Sequence, residues 1–317
     1  MLRRQFIKNA SILSATSLLP MNDLTENMKG VKKIGVQLFS LPRMLEKNFR
    51  GTIQMLSQMG YKEVELYGPY TFSAKSAQER WSALKPMLGF GGSGYFGQSA
   101  QMVKAVFKEF HMSAPSIHTD LDTLQNNMAQ LGEAAHILGH EYVVLPSIPD
   151  EKRQTLDDYK KMADAFNKIG EEAKKVGVKF GYHNHGYGIK EMNGKVPLQI
   201  ILDNTDPNLV FFEMDIYWTA AAGADPVAYL EKYPNRYKML HIKDMKVKKQ
   251  FSGDGGDAQQ WMTLFPYMTT AGSGVLDIKA IIEKGKKVGV KHFFVEQDMV
   301  ADPQIALKKS IDYLKSL

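Results

Sequence analysis

The 317-residue chain contains no cysteine. Disulfides, thiolate metal sites and a Cys nucleophile are excluded with it, so a bound cation would have to rest on nitrogen and oxygen donors. No Gly-x-Gly-x-x-Gly turn follows the first strand-like segment, which leaves a dinucleotide site without its fingerprint. The stretch holding Gly89, Gly91, Gly92, Gly94 and Gly97 lacks the Lys-Ser/Thr ending of a P-loop. It reads as a mobile loop over a site mouth. A concentrated basic patch, the usual footprint of a nucleic-acid partner, is also missing. The net charge is +6 and its lysines are scattered. The densest short cluster, Lys246-Val-Lys-Lys249, reads as a solvated loop.

Acidic residues are absent from positions 1–20, where Arg3, Arg4 and Lys8 supply half of the net charge. Asn9 to Leu19 follows as a short, weakly apolar run, too short to span a bilayer. The twin arginine before Phe6-Ile7-Lys8 resembles a twin-arginine export signal. Residues 1–30 are therefore expected to be a targeting segment. The protein is expected to act in the periplasm or outside the cell, without stable membrane association. Residues 31–317 remain for the folded part. The chain as a whole is 44% hydrophobic and 23% charged, enough for one large core and not the composition of a disordered chain.

From Val31 strand-like and helix-like segments alternate. Strands are expected at 33–39, 63–67, 114–118, 141–145, 178–182, 209–213, 237–241 and 292–296. Helices are expected at 49–59, 103–110, 121–138, 156–176, 197–202, 225–232, 278–288 and 303–317. Gly60, Gly139, Gly177 and Gly289 act as stops, and Asp225-Pro226 opens a helix. Strict alternation implies a parallel sheet. Eight units in about 290 residues fit a single closed (β/α)8 TIM barrel, whose active sites lie at the C-terminal ends of the strands.

Four of those ends carry metal-binding side chains: His183/His185, Glu213/Asp215, His241/Lys243 and Glu296/Asp298. Residues i and i+2 share one face of a strand. A buried charge is costly unless it is paired or bound to metal. Taken singly, each has a plainer explanation: a hydrogen-bonded core histidine, a helix cap, a lysine partner. Recurrence at successive strand tips favours a divalent cation. The His-plus-carboxylate mix suits Mn, Zn, Co or Mg. Gln37, Glu65 and His118 sit at the first three tips and are candidate substrate contacts, with Glu213 and Trp218. The Trp218 ring is either a sugar-stacking platform or packing beneath the sixth loop. The segment 245–272, with Trp261, Phe265 and Tyr267, reads as a lid or as a contact between copies in a homo-oligomer.

The segments Gly35–Phe39, Glu63–Gly68, Ser116–His118, Tyr182-His-Asn-His185, Asp215-Ile-Tyr-Trp218, Leu240-His-Ile-Lys-Asp244, Gly272-Ser-Gly274 and Val295-Glu-Gln-Asp298 resemble the xylose isomerase-like TIM-barrel superfamily. The likeness is to its sugar phosphate isomerase/epimerase branch, near the inosose dehydratases. It implies one divalent metal held after the fifth to eighth strands, here by His183, Asp215, His241 and Glu296. The family has Glu at the first of these positions, so His183 departs from it and puts a two-glutamate epimerisation in doubt. His185, Lys243 or Glu296 would then move the proton. Ser273 departs more mildly from a glutamate common between the two glycines.

The resemblance implies an enzyme acting on a keto-sugar, glycoside or cyclitol. Metal polarises a carbonyl, a base takes the neighbouring proton, and an enediolate forms. Returning the proton gives isomerisation or epimerisation. Losing a β-oxygen gives a lyase or dehydratase. Export favours an unphosphorylated carbohydrate. Two rivals stand beside this reading. An apurinic endonuclease would need more ligands and a basic groove. A non-catalytic sugar-binding protein would bind without turnover.

Overall fold

A computed structural model describes Val31 and residues 33–317. The expected export segment lies outside the described residues. The chain forms eight parallel strands: β1 (Ile34–Gln37), β2 (Glu63–Tyr67), β3 (Ser113–His118), β4 (Tyr142–Leu145), β5 (Lys179–His183), β6 (Val210–Asp215), β7 (Tyr237–Ile242) and β8 (His292–Val295). They close in the order β1-β8-β7-β6-β5-β4-β3-β2. Helices between the strands cover the outside. This is the single (β/α)8 TIM barrel that the alternation called for.

Period-two alternation sorts each strand into two faces. Outward residues such as Val36, Leu66, Ile117, Val143, Phe180, Leu240 and Val295 are buried under the helices. Inward residues stack in layers. Tyr142, Val144, Met239 and Phe294 pack together across the interior and plug the lower barrel. Gly35 is small for a reason: a Cβ there would lie 2.4 Å from the Phe294 ring. Two residues further along, the same faces turn polar: Gln37 after Gly35, His241 after Met239, Glu296 after Phe294. The polar layer therefore lies above an apolar plug and opens only toward the strand ends.

Most helix ends follow local chemistry. Thr155 and Asp158 form a reciprocal capping box, and Asp225 accepts from the Val227 amide ahead of Pro226. The expected helix over 121–138 is two helices, Leu121–Asn126 and Met128–Leu138, broken at Asn127. Helix Lys75–Leu88 has no counterpart among the expected elements. Only its Ala77 is buried, no side chain caps its start and Pro86 sits inside it, so its start and stop signals are weak. The glycine stretch after it is tied down. Glu46 accepts from the Gly91 and Gly92 amides at 2.7 and 2.5 Å, and Tyr67 and Trp81 donate to the Gly92 and Gly91 carbonyls. It braces an aromatic cluster instead of hanging over the mouth.

After β7 the chain makes a short antiparallel ribbon, Asp244–Met245 against Met268–Thr269. The Asp244 carboxylate accepts from the amides of Gly272, Gly274 and Leu276 at 2.9, 2.9 and 3.2 Å. A Cβ on Gly274 would stand 2.3 Å from Asp244 Oδ1, so glycine is the residue that leaves room for this clamp. Among the described residues no helix is long and apolar enough to cross a membrane.

Candidate metal centre and active site

The polar layer is one continuous cluster with two acidic groups. The deeper group is Glu65 and Glu213, both fully buried. Glu65 Oε2 lies 2.8 Å from Gln37 Nε2, 3.2 Å from His118 Nε2 and 2.6 Å from His241 Nε2. Glu213 Oε2 lies 2.7 Å from His118 Nε2, 3.0 Å from His183 Nδ1 and 3.3 Å from His241 Nε2. The upper group is Asp215, Glu296 and Asp298, gathered around the Lys243 ammonium at 2.9, 2.6 and 2.7 Å. His241 joins the two, because its Nδ1 meets Glu296 Oε2 at 2.8 Å.

Protonation follows these contacts. Burial works against charge on His118, but Glu65 and Glu213 outweigh it and push its pKa up to about 9. His241 is raised against burial by Glu213, Glu296 and Glu65. Burial and the neighbouring His241 hold His183 well below its ordinary value. Burial opposes the charge on Lys243, yet Asp215, Asp298 and Glu296 keep it firmly ammonium. Burial raises Asp298, and Glu296 adds to this against the pull of Lys243. His185 is lowered to about 3 by burial and by Lys243.

The donor set suits a divalent cation. His118, His183, Glu213 and His241 each offer a ligand atom, all within 4.8 Å of one another, and so do Asp215, His241 and Glu296. Nitrogen and carboxylate donors without thiolate are the mixture that Zn, Mn or Co accepts. Glu65 Oε1 and Glu213 Oε1 are buried with no hydrogen-bond partner, an expense a polar group rarely carries without a ligand. Asp215 Oδ2 likewise lacks a well-angled hydrogen bond; it meets Lys243 as an ion pair. The four residues expected to hold the metal converge: His183 Nε2 stands 3.8 Å from Asp215 Oδ2, and His241 reaches both Asp215 and Glu296.

Above the cluster opens a cavity of about 640 Å³. Its floor includes Gln37, His118, His183, His185, Glu296 and Asp298. His185 Nδ1 lies 2.6 Å from the Pro146 carbonyl. A carbonyl only accepts, so Nδ1 carries the proton and Nε2 is left as an acceptor. The His185 ring stacks on Trp261 at 5.2 Å, which lays the 245–272 segment against the mouth. Glu65, Glu213, Asp215, His241 and Lys243 lie beneath the cavity surface. The sugar-platform reading of Trp218 is corrected. Its ring is 2% exposed, stacked under Phe251 at 5.6 Å and absent from the cavity wall, so it takes the packing role. The tip pairing had placed Asp298 beside Glu296 without giving it a task; its raised carboxyl now makes it a working candidate. Trp81 and Leu84 line the cavity from helix Lys75–Leu88, which the expected elements omit, so they are absent from the candidate residues.

A closed parallel barrel with a metal-competent histidine and carboxylate floor defines an enzyme of the isomerase, epimerase or lyase type. The chain belongs to the xylose isomerase-like TIM barrel family, whose model matches residues 53–317. It is 25% identical over 248 residues to an inosose dehydratase of Clostridium beijerinckii, covering 71% of this chain and 76% of that protein. It is similar to the solved structure of a sugar phosphate isomerase/epimerase from Parabacteroides distasonis, with a TM-score of 0.70, 25% identity, and 91% and 95% of the two chains covered. The fold is shared with the IolI protein solved with a zinc atom bound, at a TM-score of 0.63 and 16% identity, covering 90% and 98%.

Proposed function

We propose that this protein is a divalent-metal-dependent carbon–oxygen lyase that enolises a keto-sugar, keto-glycoside or cyclitol and expels a β-oxygen substituent. The observation that carries the reading is the buried histidine and carboxylate cluster, which lies directly under a cavity whose floor carries His185 and Asp298. His185 is neutral with Nε2 open as an acceptor, and Asp298 is a carboxyl pushed up by burial.

His183, Asp215, His241 and Glu296 would hold the cation, with His118 and Glu213 beside them. A divalent cation held there would supply Lewis-acid polarisation of a substrate carbonyl. His185 takes the proton of the adjacent C–H on Nε2. The C–H electron pair first becomes the C=C bond of the enolate; as the C=O re-forms, that pair moves to the Cα–Cβ bond, the β C–O bond breaks with its electrons on oxygen, and the departing oxygen takes a proton from Asp298. Water or an alcohol leaves, and no oxidant or reductant is needed. Lys243, held charged by Asp215 and Glu296, is a fixed positive charge near the site and not a base. Gln37 and His118 meet the substrate from the floor.

The relatives support both outcomes of enolisation. The inosose dehydratases favour elimination, and the isomerase/epimerase neighbour favours return of the proton. His183, at the position where the resemblance implies a second glutamate, supports elimination. The twin-arginine pattern supports an exported enzyme meeting unphosphorylated carbohydrate.

The test is NMR in D₂O with a metal-loaded preparation and a panel of inososes, 3-keto-glycosides and keto-sugars. Deuterium beside the carbonyl together with an unsaturated product is expected. Exchange with recovery of an epimer would select the isomerase outcome. Tight binding without exchange or product would leave a sugar-binding protein.

A further inference from the structure

The cavity is lopsided. Its floor is polar, but one side is built from rings. Helix Lys75–Leu88 passes the mouth and turns Ala77, Arg80, Trp81 and Leu84 to the cavity, a spacing that forms one helical stripe. Trp81 is fixed there: its Nε1 donates to the Gly91 carbonyl at 2.8 Å, and its ring lies 5.9 Å from that of Tyr67. Phe39 stands edge-on to Tyr67 at 5.1 Å. Phe39, Tyr67 and Trp81 all line the cavity. Beside them Leu84 is 43% exposed, an apolar side chain with nothing over it. Trp81 and Tyr67 are already tied to the Gly91 and Gly92 carbonyls, which reduces the ordering cost of binding.

The volume asks for more than one ring. About 640 Å³ falls in the middle of the roughly 300–1,000 Å³ that enclose drug-sized ligands. The rim sets the charge. Asp120, Asp150 and Glu151 line it, and the nearby Arg80 is already engaged with Asp122 at 3.2 Å and Asp120 at 3.9 Å. An added phosphate would meet mainly carboxylates.

We infer that Phe39, Tyr67, Trp81 and Leu84 form a second subsite that receives an uncharged aromatic or apolar aglycone, while the sugar ring lies over the polar floor. The inference rests on the carbohydrate reading above and narrows it to glycosides with a hydrophobic, unphosphorylated leaving portion.

Calorimetric titration of the metal-loaded full chain with phenyl glucoside, methyl glucoside and phenol tests it, because these unoxidised probes bind without reacting. Phenyl glucoside is expected to bind about tenfold more tightly than methyl glucoside, the scale of one aromatic contact with its buried area. Trp81→Ala should erase that gap and leave methyl glucoside unchanged, with Trp81→Phe restoring part of it. Leu84→Asp, at an exposed position that folding tolerates, should narrow the gap independently. Equal affinity for the two glucosides overturns the subsite and leaves the carbohydrate reading standing. Phenyl glucoside binding no better than phenol overturns the carbohydrate reading instead. No binding of any probe overturns both.

Discussion

His241 and Glu65, 176 residues apart in sequence, meet in the barrel interior with Nε2 and Oε2 at 2.6 Å. The opposite ring nitrogen of the same histidine reaches Glu296. One imidazole therefore holds two acidic groups in register.

His241→Ala should lose its bound divalent ion, read as metal content after desalting. Activity should fall by more than the roughly 10–100-fold that losing an outer partner of a metal site costs. A variant that keeps stoichiometric metal would remove His241 from the centre.

Lys243→Met strips the counter-charge from Asp215, Glu296 and Asp298. Breaking a buried pair from one side costs about 3–5 kcal/mol, so urea unfolding in chelator should show a loss of that order. Adding Mn²⁺ or Zn²⁺ should shrink the deficit, because a cation at Asp215 and Glu296 replaces part of the missing charge. An equal deficit with and without metal would argue that Lys243 and the ion are not linked through those carboxylates.

Much of this site could be read from the chain alone. Histidines and carboxylates at β5 to β8 follow buried strands whose alternation fixes their facing, so convergence followed from register. The rest depended on contacts across the barrel. Which acid pairs with which histidine is set by His118 from β3 and Glu65 from β2, far from their partners in sequence. Trp218 could be read either as a sugar platform or as packing, because no local rule shows that Phe251 covers it. Helix Lys75–Leu88 stayed hidden because it is solvated on most sides and carries Pro86 inside.

His140 lies far from the site chemistry and gives a clean pH test. It is buried, its Nδ1 donates to the Ala114 carbonyl, and burial lowers its pKa from 6.5 to about 4. The unfolded chain takes up a proton as pH falls below about 6.5, while the folded chain resists until about 4. The stability from neutral His140 is therefore complete above pH 6.5 and is lost between 6.5 and 4. It amounts to about 3 kcal/mol. Denaturation midpoints of wild type and His140→Asn across pH 7.5 to 4.5 should converge as pH drops. Parallel curves would show that His140 is not the titrating group.

Gly274→Ala should open the Asp244 clamp. The added methyl collides with Asp244 Oδ1 and the Met245 carbonyl, both 2.3 Å away, and overpacking of this kind costs about 1–3 kcal/mol. Faster proteolysis within 246–267 is the expected readout, with barrel circular dichroism unchanged. Unaltered cleavage would show that the clamp does not restrain that segment.

The same clamp bears on how such a barrel diversifies. Where it closes, Lys246 donates its amide to the Tyr267 carbonyl at 2.8 Å, so the chain leaves and re-enters the scaffold at nearly one point. Whatever is spliced between those residues hangs from a stapled neck, and apart from Trp261, which stacks on His185, its length or sequence can drift with little effect on the strands beneath. Selection for new substrates can therefore work on that insert as an exchangeable module, while the eight strands stay as they are.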